Sequence, residues 1–210
     1  MPRPRTISDA QLLDHALALM EQHGSDALTF AALAERSGLS GSTLVQRFGT
    51  KQRLLDAAIA HGWDALEQRT RQFADEEPHT PAGAITILSR LSQDYGDIES
   101  YADKLQLLRE DLRNPVFRAR GDAWVSYLAS CLERCLVGSE LPVTDPKRAP
   151  GELGRLLVAQ WQGALVLWAF APREPLPNFI RGHLERYLAA RSAPARSAPP
   201  EAAKKRRTRP

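Results

Sequence analysis

From Leu12 onward apolar residues recur every three or four positions, and alternating β-branched stretches that would read as strand are almost absent. The spacing predicts an all-α chain of about nine helices. Ser8 caps a first helix whose inner face is Leu12, Leu13, Ala16, Leu17 and Met20, ending before Gly24. Thr29 caps a short helix around Leu33 that Gly38 ends. Ser40 caps another that runs to Phe48 and closes at Gly49-Thr50. Thr50 caps a longer helix through Leu54, Leu55, Ala58, Ile59, Trp63 and Leu66, fading near Glu77-Pro78.

Beyond Pro81 the pattern changes to long helices. One covers Ile85, Leu88, Leu91 and Tyr95, and the next runs from Tyr101 to Arg113. Asn114-Pro115 then starts a helix carrying Phe117, Trp124, Tyr127, Leu128, Cys131 and Leu132. Three prolines mark Gly138 to Gly151 as a loop. The segment from Glu152 to Phe170 is apolar on almost every side, so it is either the centre of a large core or packs on its own domain and on a partner. A last helix opens near Pro177 with Ile180, Leu184, Tyr187 and Leu188 at helical spacing. From Ser192, Ala, Pro, Ser and basic residues replace the large apolar ones, which predicts a disordered basic tail. The resulting division is a head over 1–50, a helical body over 51–191 and a tail over 192–210.

Composition adds bounds. With 43% hydrophobic residues in 210, the chain can bury one or two real cores. The net charge of +3 owes much to the ends, where Arg3 and Arg5 precede the first helix and Lys204, Lys205, Arg206, Arg207 and Arg209 follow the last. Two cysteines, Cys131 and Cys135, are too few for a disulfide framework. No apolar run approaches the roughly 18 residues of a membrane span. The expectation is a soluble cytoplasmic protein.

Ser37-Gly38-Leu39-Ser40 between two short helices fits a helix-turn-helix, the glycine permitting the turn and the serine capping the second helix. Leu44 and Phe48 can anchor that helix, leaving Ser42, Thr43, Gln46 and Arg47 outward, with Gly41 allowing close backbone approach. These groups suit base edges and phosphates in a major groove, although a solvated face on an ordinary bundle would look the same. Lys51 and Arg53 add a second feature. They sit in the first turn of a helix, where the macrodipole disfavours cations, and a DNA phosphate bound by the free N–H groups there would resolve the conflict.

The run from Asp26 to Leu55, DALTFAALAERSGLSGSTLVQRFGTKQRLL, resembles the DNA-binding signature of the tetracycline-repressor (TetR) family of transcriptional regulators. The matching positions are Leu28-Thr29, Leu33-Ala34, Gly38-Leu39-Ser40, Thr43-Leu44, Phe48 and Lys51. The resemblance implies a homodimer with a three-helix DNA-binding head and a larger domain for effector binding and dimerisation. It places DNA contacts on Thr29, Gly41, Ser42, Thr43, Val45, Gln46, Arg47 and Lys51. Two positions depart from the pattern: Val45 stands where the family usually has Tyr, and Ala31-Ala32 where a polar or basic residue is common. Readout would then lean on Gln46, Arg47 and the arm of Arg3 and Arg5, which a frayed terminus would also explain.

For the body, the apolar helix and its successor suggest a four-helix dimer seam through Leu153, Leu157, Trp161, Ala164 and Trp168, with Ile180, Leu184 and Tyr187. Gly154 and Gly163 would let a neighbouring helix approach closely. A small, mostly apolar effector would fit among Tyr95, Tyr101, Leu105 and Trp124, with Tyr127, Leu128, Cys131 and Trp161, although each residue fits a plain core equally. Asp94, Asp97 and Glu99 are either acceptors for a cationic ligand or solvated caps. Cys131 and Cys135 read as buried thiols or as half of a metal or redox site. The histidines show no ligand spacing, and neither a catalytic constellation nor a cofactor motif is present. The reading is a ligand-responsive DNA-binding regulator with double-stranded operator DNA as partner. Its rivals are a helical enzyme and a helix-turn-helix that contacts only proteins.

Overall fold

The computed structural model describes residues 7–137 and 151–192. The basic arm, most of the loop after Val137, and the tail expected from Ser192 lie outside them. Among the described residues there are nine α-helices: α1 Asp9–His23, α2 Phe30–Ser37, α3 Gly41–Phe48, α4 Lys51–Glu76, α5 Pro81–Leu91, α6 Ile98–Arg113, α7 Pro115–Leu136, α8 Glu152–Phe170 and α9 Leu176–Ser192. The expected caps form. Ser8, Thr29, Ser40 and Thr50 each accept a hydrogen bond from the N–H three residues on, and Ser8 completes a capping box with Gln11.

Two boundaries differ from the sequence reading. The helix expected through Tyr95 stops at Leu91, where Ser92 turns inward. Its hydroxyl donates to the Leu88 carbonyl at 2.7 Å and accepts from Trp161 Nε1 at 2.8 Å, and a 3-10 turn, Gln93–Tyr95, follows. The next helix starts at Ile98 rather than Tyr101, because Asp97 caps it by accepting from the Ser100 N–H at 2.8 Å. That bond, the main cause, holds the Asp97 carboxyl below its ordinary range. Asp97 is therefore a cap and not a ligand acceptor. Glu99 is exposed in the same first turn, and the Asp94 side chain is outside what is described.

The apolar residues gather into two cores. The first joins Leu12, Ala16 and Met20 of α1 to Leu28, Leu33 and Leu44, and is closed by Leu54, Ala58 and Ile59 of α4 and Phe117 of α7. The second is built from Ile87 and Leu88, Trp124, Leu128 and Leu132, Leu157, Trp161 and Leu165, and Ile180 and Leu184. Fully burying each such leucine contributes about 1.5–3 kcal/mol. The 26 residues of α4 make a rod about 39 Å long that enters both cores.

The residues read from sequence as a dimer seam pack within the chain. Leu153, Leu157, Trp161, Ala164 and Trp168, with Ile180 and Leu184, are buried inside a single chain, and Tyr187 is half-buried beside them. A helix apolar all round offers two stripes, and periodicity alone cannot say which one faces the chain's own core. The outer stripe carries Leu156, Leu167 and Phe170, which are 40%, 59% and 87% exposed. Gly154 serves α7, where a Cβ would strike the Ala129 carbonyl, whereas Gly163 faces open space.

Polar links hold α4 to α7. Arg120 Nε donates to Glu67 at 2.7 Å, its Nη1 to the Ala60 carbonyl at 3.1 Å, and its Nη2 to Asp64. Nearby, the buried Trp124 Nε1 donates to Thr70 Oγ1 at 2.9 Å. The hydrogen bond from Arg120, opposed by burial, lowers the Glu67 carboxyl below its ordinary value.

Two outcomes are expected. Gly154→Ala forces α7 and α8 apart and destabilises by about 1–3 kcal/mol, read as a Tm lowered by several degrees in a calorimetric scan. Because Glu67 titrates lower in the folded chain, its contribution is present above the unfolded glutamate range and is lost as pH falls through the folded value. Acid unfolding followed by circular dichroism should therefore be less steep in Glu67→Gln than in the parent.

Candidate nucleic-acid interface and effector cavity

The helix-turn-helix is assembled from capping and two leucines. Gly38 adopts φ 73°, in the left-handed region, and lets α2 turn sharply into α3. Leu33 and Leu44 are fully buried against each other's helices, which sets how α3 sits on the head. Outward on α3 lie Ser42, Val45 and Gln46, with Thr43 and Gly41 partly exposed; Thr29 is exposed at the start of α2. Ser40 Oγ lies 2.9 Å from Ser42 Oγ and 2.8 Å from Thr43 Oγ1, so the three hydroxyls form one chain at the helix start. Val45 is 46% exposed, an apolar group standing on an otherwise polar face.

Two cations are placed differently from the sequence reading. Arg47 does not reach outward freely: its Nη1 donates to the Ile7 carbonyl at 2.9 Å and to Asp9 Oδ1 at 3.1 Å, tying α3 to the start of α1. Its guanidinium is engaged by the scaffold because the start of α1 comes beside it, a neighbour that α3's own sequence does not reveal. Lys51 Nζ donates to the Asp26 carbonyl at 2.9 Å, so the charge at the start of α4 leans away from the helix axis toward a turn. In the first turn of α4, Thr50 Oγ1 accepts from the Arg53 N–H at 3.2 Å.

A cavity of about 830 Å³ lies between α1, α4, α6, α7 and α8. Tyr95, Tyr101, Leu105, Trp124 and Trp161 line it as expected, but Tyr127, Leu128 and Cys131 do not. One turn beyond Trp124, α7 closes into the core: Leu128 and Cys131 are buried there, and Tyr127 points to the outside. The wall also includes residues the sequence reading missed: Leu17, Asp14 and Glu21 of α1, Trp63, Leu66 and Arg69 of α4, and Lys104 and Asp111 of α6. Trp63 was legible as an aromatic on the inner stripe of α4. The part played by α1 was not, because it depends on how the head docks.

The aromatic wall is ordered by its hydrogen bonds. Trp63 and Trp124 meet edge to face with centroids 6.1 Å apart, and Trp124 and Trp161 are 6.4 Å apart. Tyr95 and Tyr101 pair at 5.4 Å, and burial raises the Tyr101 hydroxyl. Trp63 Nε1 donates to Asp111 Oδ1 at 2.9 Å. Burial, the largest cause, pushes the Asp111 carboxyl up; the Trp63 bond lowers it and nearby Glu110 adds to the rise. Where α6 meets α1, Lys104 Nζ pairs with Glu21 at 3.1 Å and Gln106 Nε2 donates to the Glu21 carbonyl at 3.2 Å. His61 Nε2 lies 2.8 Å from Asp14. The two cysteines are free and buried, burial raises the Cys135 thiol, and among the described residues no three His, Cys, Asp or Glu gather as metal ligands.

Residues 12–58 match the family model described as bacterial regulatory proteins, tetR family. The chain is 33% identical over 167 residues to the HTH-type transcriptional regulator BetI of Paraburkholderia xenovorans strain LB400, covering 77% of this chain and 84% of the relative. It is 24% identical over 160 residues to the HTH-type transcriptional repressor KstR of Rhodococcus jostii strain RHA1, covering 75% and 71%. In fold it is similar to a transcriptional regulator from Saccharomonospora viridis solved in complex with choline, with a TM-score of 0.65 at 18% identity over 85% of this chain and 93% of that one. On its helix-turn-helix and the extent of its likeness to BetI, this chain belongs to the tetR family of bacterial regulatory proteins and is a DNA-binding transcriptional regulator, not an enzyme.

Proposed function

We propose that the protein is a cytoplasmic repressor that grips a near-palindromic operator as a homodimer and lets go when a small, mostly apolar effector fills the cavity. The observation that carries this reading is the make-up of the cavity wall: it is lined both by α1 of the head and by α6 of the body, which meet directly at Glu21 and Lys104. An occupant lies beside the contact between the two. A ligand that favours the arrangement unable to span two half-sites then shifts the protein off DNA by its differential affinity for the two states. The choline found in the S. viridis regulator supports a small-molecule effector for this fold.

In this reading residues 1–50 form the head and 51–191 the body, with α4 passing from one to the other. Ser42, Thr43, Val45 and Gln46 face the major groove with Gly41 close to the DNA backbone, while Thr29 and Lys51 meet phosphates. Arg47 serves chiefly to hold α3 on α1. A second copy covers the outer stripe of α8 (Leu156, Gly163, Leu167 and Phe170) together with the neighbouring face of α9. That pairing sets two recognition helices about 34–36 Å apart or modestly more, on successive major-groove turns.

The direct test is a fluorescence titration against the DNA flanking the gene, run at several salt concentrations; binding absent or indifferent to salt would refute the reading. Lys51→Ala should weaken binding to all sequences and reduce the salt slope by about one, whereas Gln46→Ala should change which bases are preferred. Lys104→Met removes the pairing to Glu21 in the cavity wall. It should leave DNA affinity near that of the parent while changing the effector concentration needed for release, measured by adding effector to the preformed complex.

A further inference from the structure

The cavity wall is not chemically even. Its exposed lining includes an aliphatic patch, Leu105, Leu108 and Val166, which are 45%, 47% and 46% exposed, beside Asp14 and Gln162. Its inner part holds three indoles and the carboxylate of Asp111. The other two acids of the wall have partners of their own, Glu21 the Lys104 ammonium and Asp14 a ring nitrogen of His61. Asp111 is different. One of its oxygens accepts the Trp63 N–H, and among the described residues no cation pairs with it. Leaving a half-buried carboxylate without a countercharge costs stability, and the cost is recovered if a ligand supplies the charge.

The indoles suit the same charge. Each N–H is occupied by a protein acceptor, Asp111, Thr70 or Ser92. Trp124 and Trp161 are buried behind the wall, so the ring with surface to offer an occupant is the half-buried Trp63, and a cation within about 6 Å of such a face is attracted by the ring quadrupole. The volume, about 830 Å³, is far more than an ammonium head alone fills.

We propose that the effector is an amphiphilic organic cation, its ammonium group held by Asp111 and the face of Trp63, its hydrocarbon body lying along Leu105, Leu108 and Val166. This deepens the proposal that the cavity is the effector site and rests on it. The wall's two cations, Lys104 and Arg69, would instead favour an anion if they governed recognition. Lys104 is neutralised by Glu21, so its field at the cavity is small.

The test uses the full chain and matched probes: octyltrimethylammonium, 1-octanol, octyl sulfate and tetramethylammonium. Binding is read by quenching of tryptophan fluorescence, since three of the four tryptophans line the cavity. Release of promoter DNA is read separately. The expected order places octyltrimethylammonium first, ahead of both its neutral counterpart and the headgroup alone. Asp111→Asn keeps the acceptor for Trp63 and should lower affinity for the ammonium probe by about tenfold, with 1-octanol unchanged. Equal or tighter binding of 1-octanol or octyl sulfate, or an unchanged Asp111→Asn, overturns the cationic assignment while leaving the cavity as effector site. Failure of every probe to bind a folded, DNA-competent protein overturns both. Should Asp111→Asn fail to fold, the ranking of probes on the parent protein decides the matter.

Discussion

The structure depends on one helix being shared by two cores. Leu54, Ala58 and Ile59 of α4 complete the packing of the head, while Trp63, Leu66 and Phe73 pack against the core of the body. Gly62 lies between these sets, where a Cβ would come within 3.4 Å of Leu17, so α1 and α4 approach closely at the junction. A continuous helix buried at both ends transmits displacement instead of absorbing it, because close-packed interiors shift between discrete arrangements. Head and body cannot move independently while α4 stays intact.

The contacts that set α1 against α6 are of another kind. Glu21 with Lys104, Gln106 with the Glu21 carbonyl, and Ser25 Oγ with Glu110 at 3.0 Å are polar and partly solvated. Such pairs contribute little net stability because water competes for both partners. The head is thus joined to the body by apolar packing through α4, Phe117 of α7 and Leu107 of α6, and by these weaker polar links between α1 and α6. A device that must change arrangement for the modest binding energy of a small molecule needs a joint of the second kind.

The cation at the start of α4 is also accounted for physically. Lys51 would oppose the macrodipole if its ammonium lay on the helix axis. Its bond to the Asp26 carbonyl turns the charge toward the turn before α2, and the first-turn N–H groups stay accessible. The same local economy explains Arg47, whose charge is spent on Asp9 and the Ile7 carbonyl to fix the recognition helix. Lys51 is held at the turn before α2, and Arg47 ties the recognition helix to the start of α1.

What the sequence determined by itself is local. Ser8, Thr29, Ser40 and Thr50 cap helices because a side-chain oxygen three residues before an N–H needs no distant partner. Leu33, Gly38 and Leu44 allow a helix-turn-helix by spacing, and the resemblance to the family rests on the longer run from Asp26 to Leu55. Choices between equivalent faces belonged to the tertiary structure. It turned Leu157, Trp161 and Trp168 of α8 into the chain's own core and left Leu156, Leu167 and Phe170 outside, although both stripes are apolar. It placed Leu128 and Cys131 beneath the cavity floor, and brought Asp14, Leu17 and Glu21 of the first helix into a wall with residues some ninety positions later. Periodicity records that a helix has an apolar face; only the docking of one helix on another decides what that face meets.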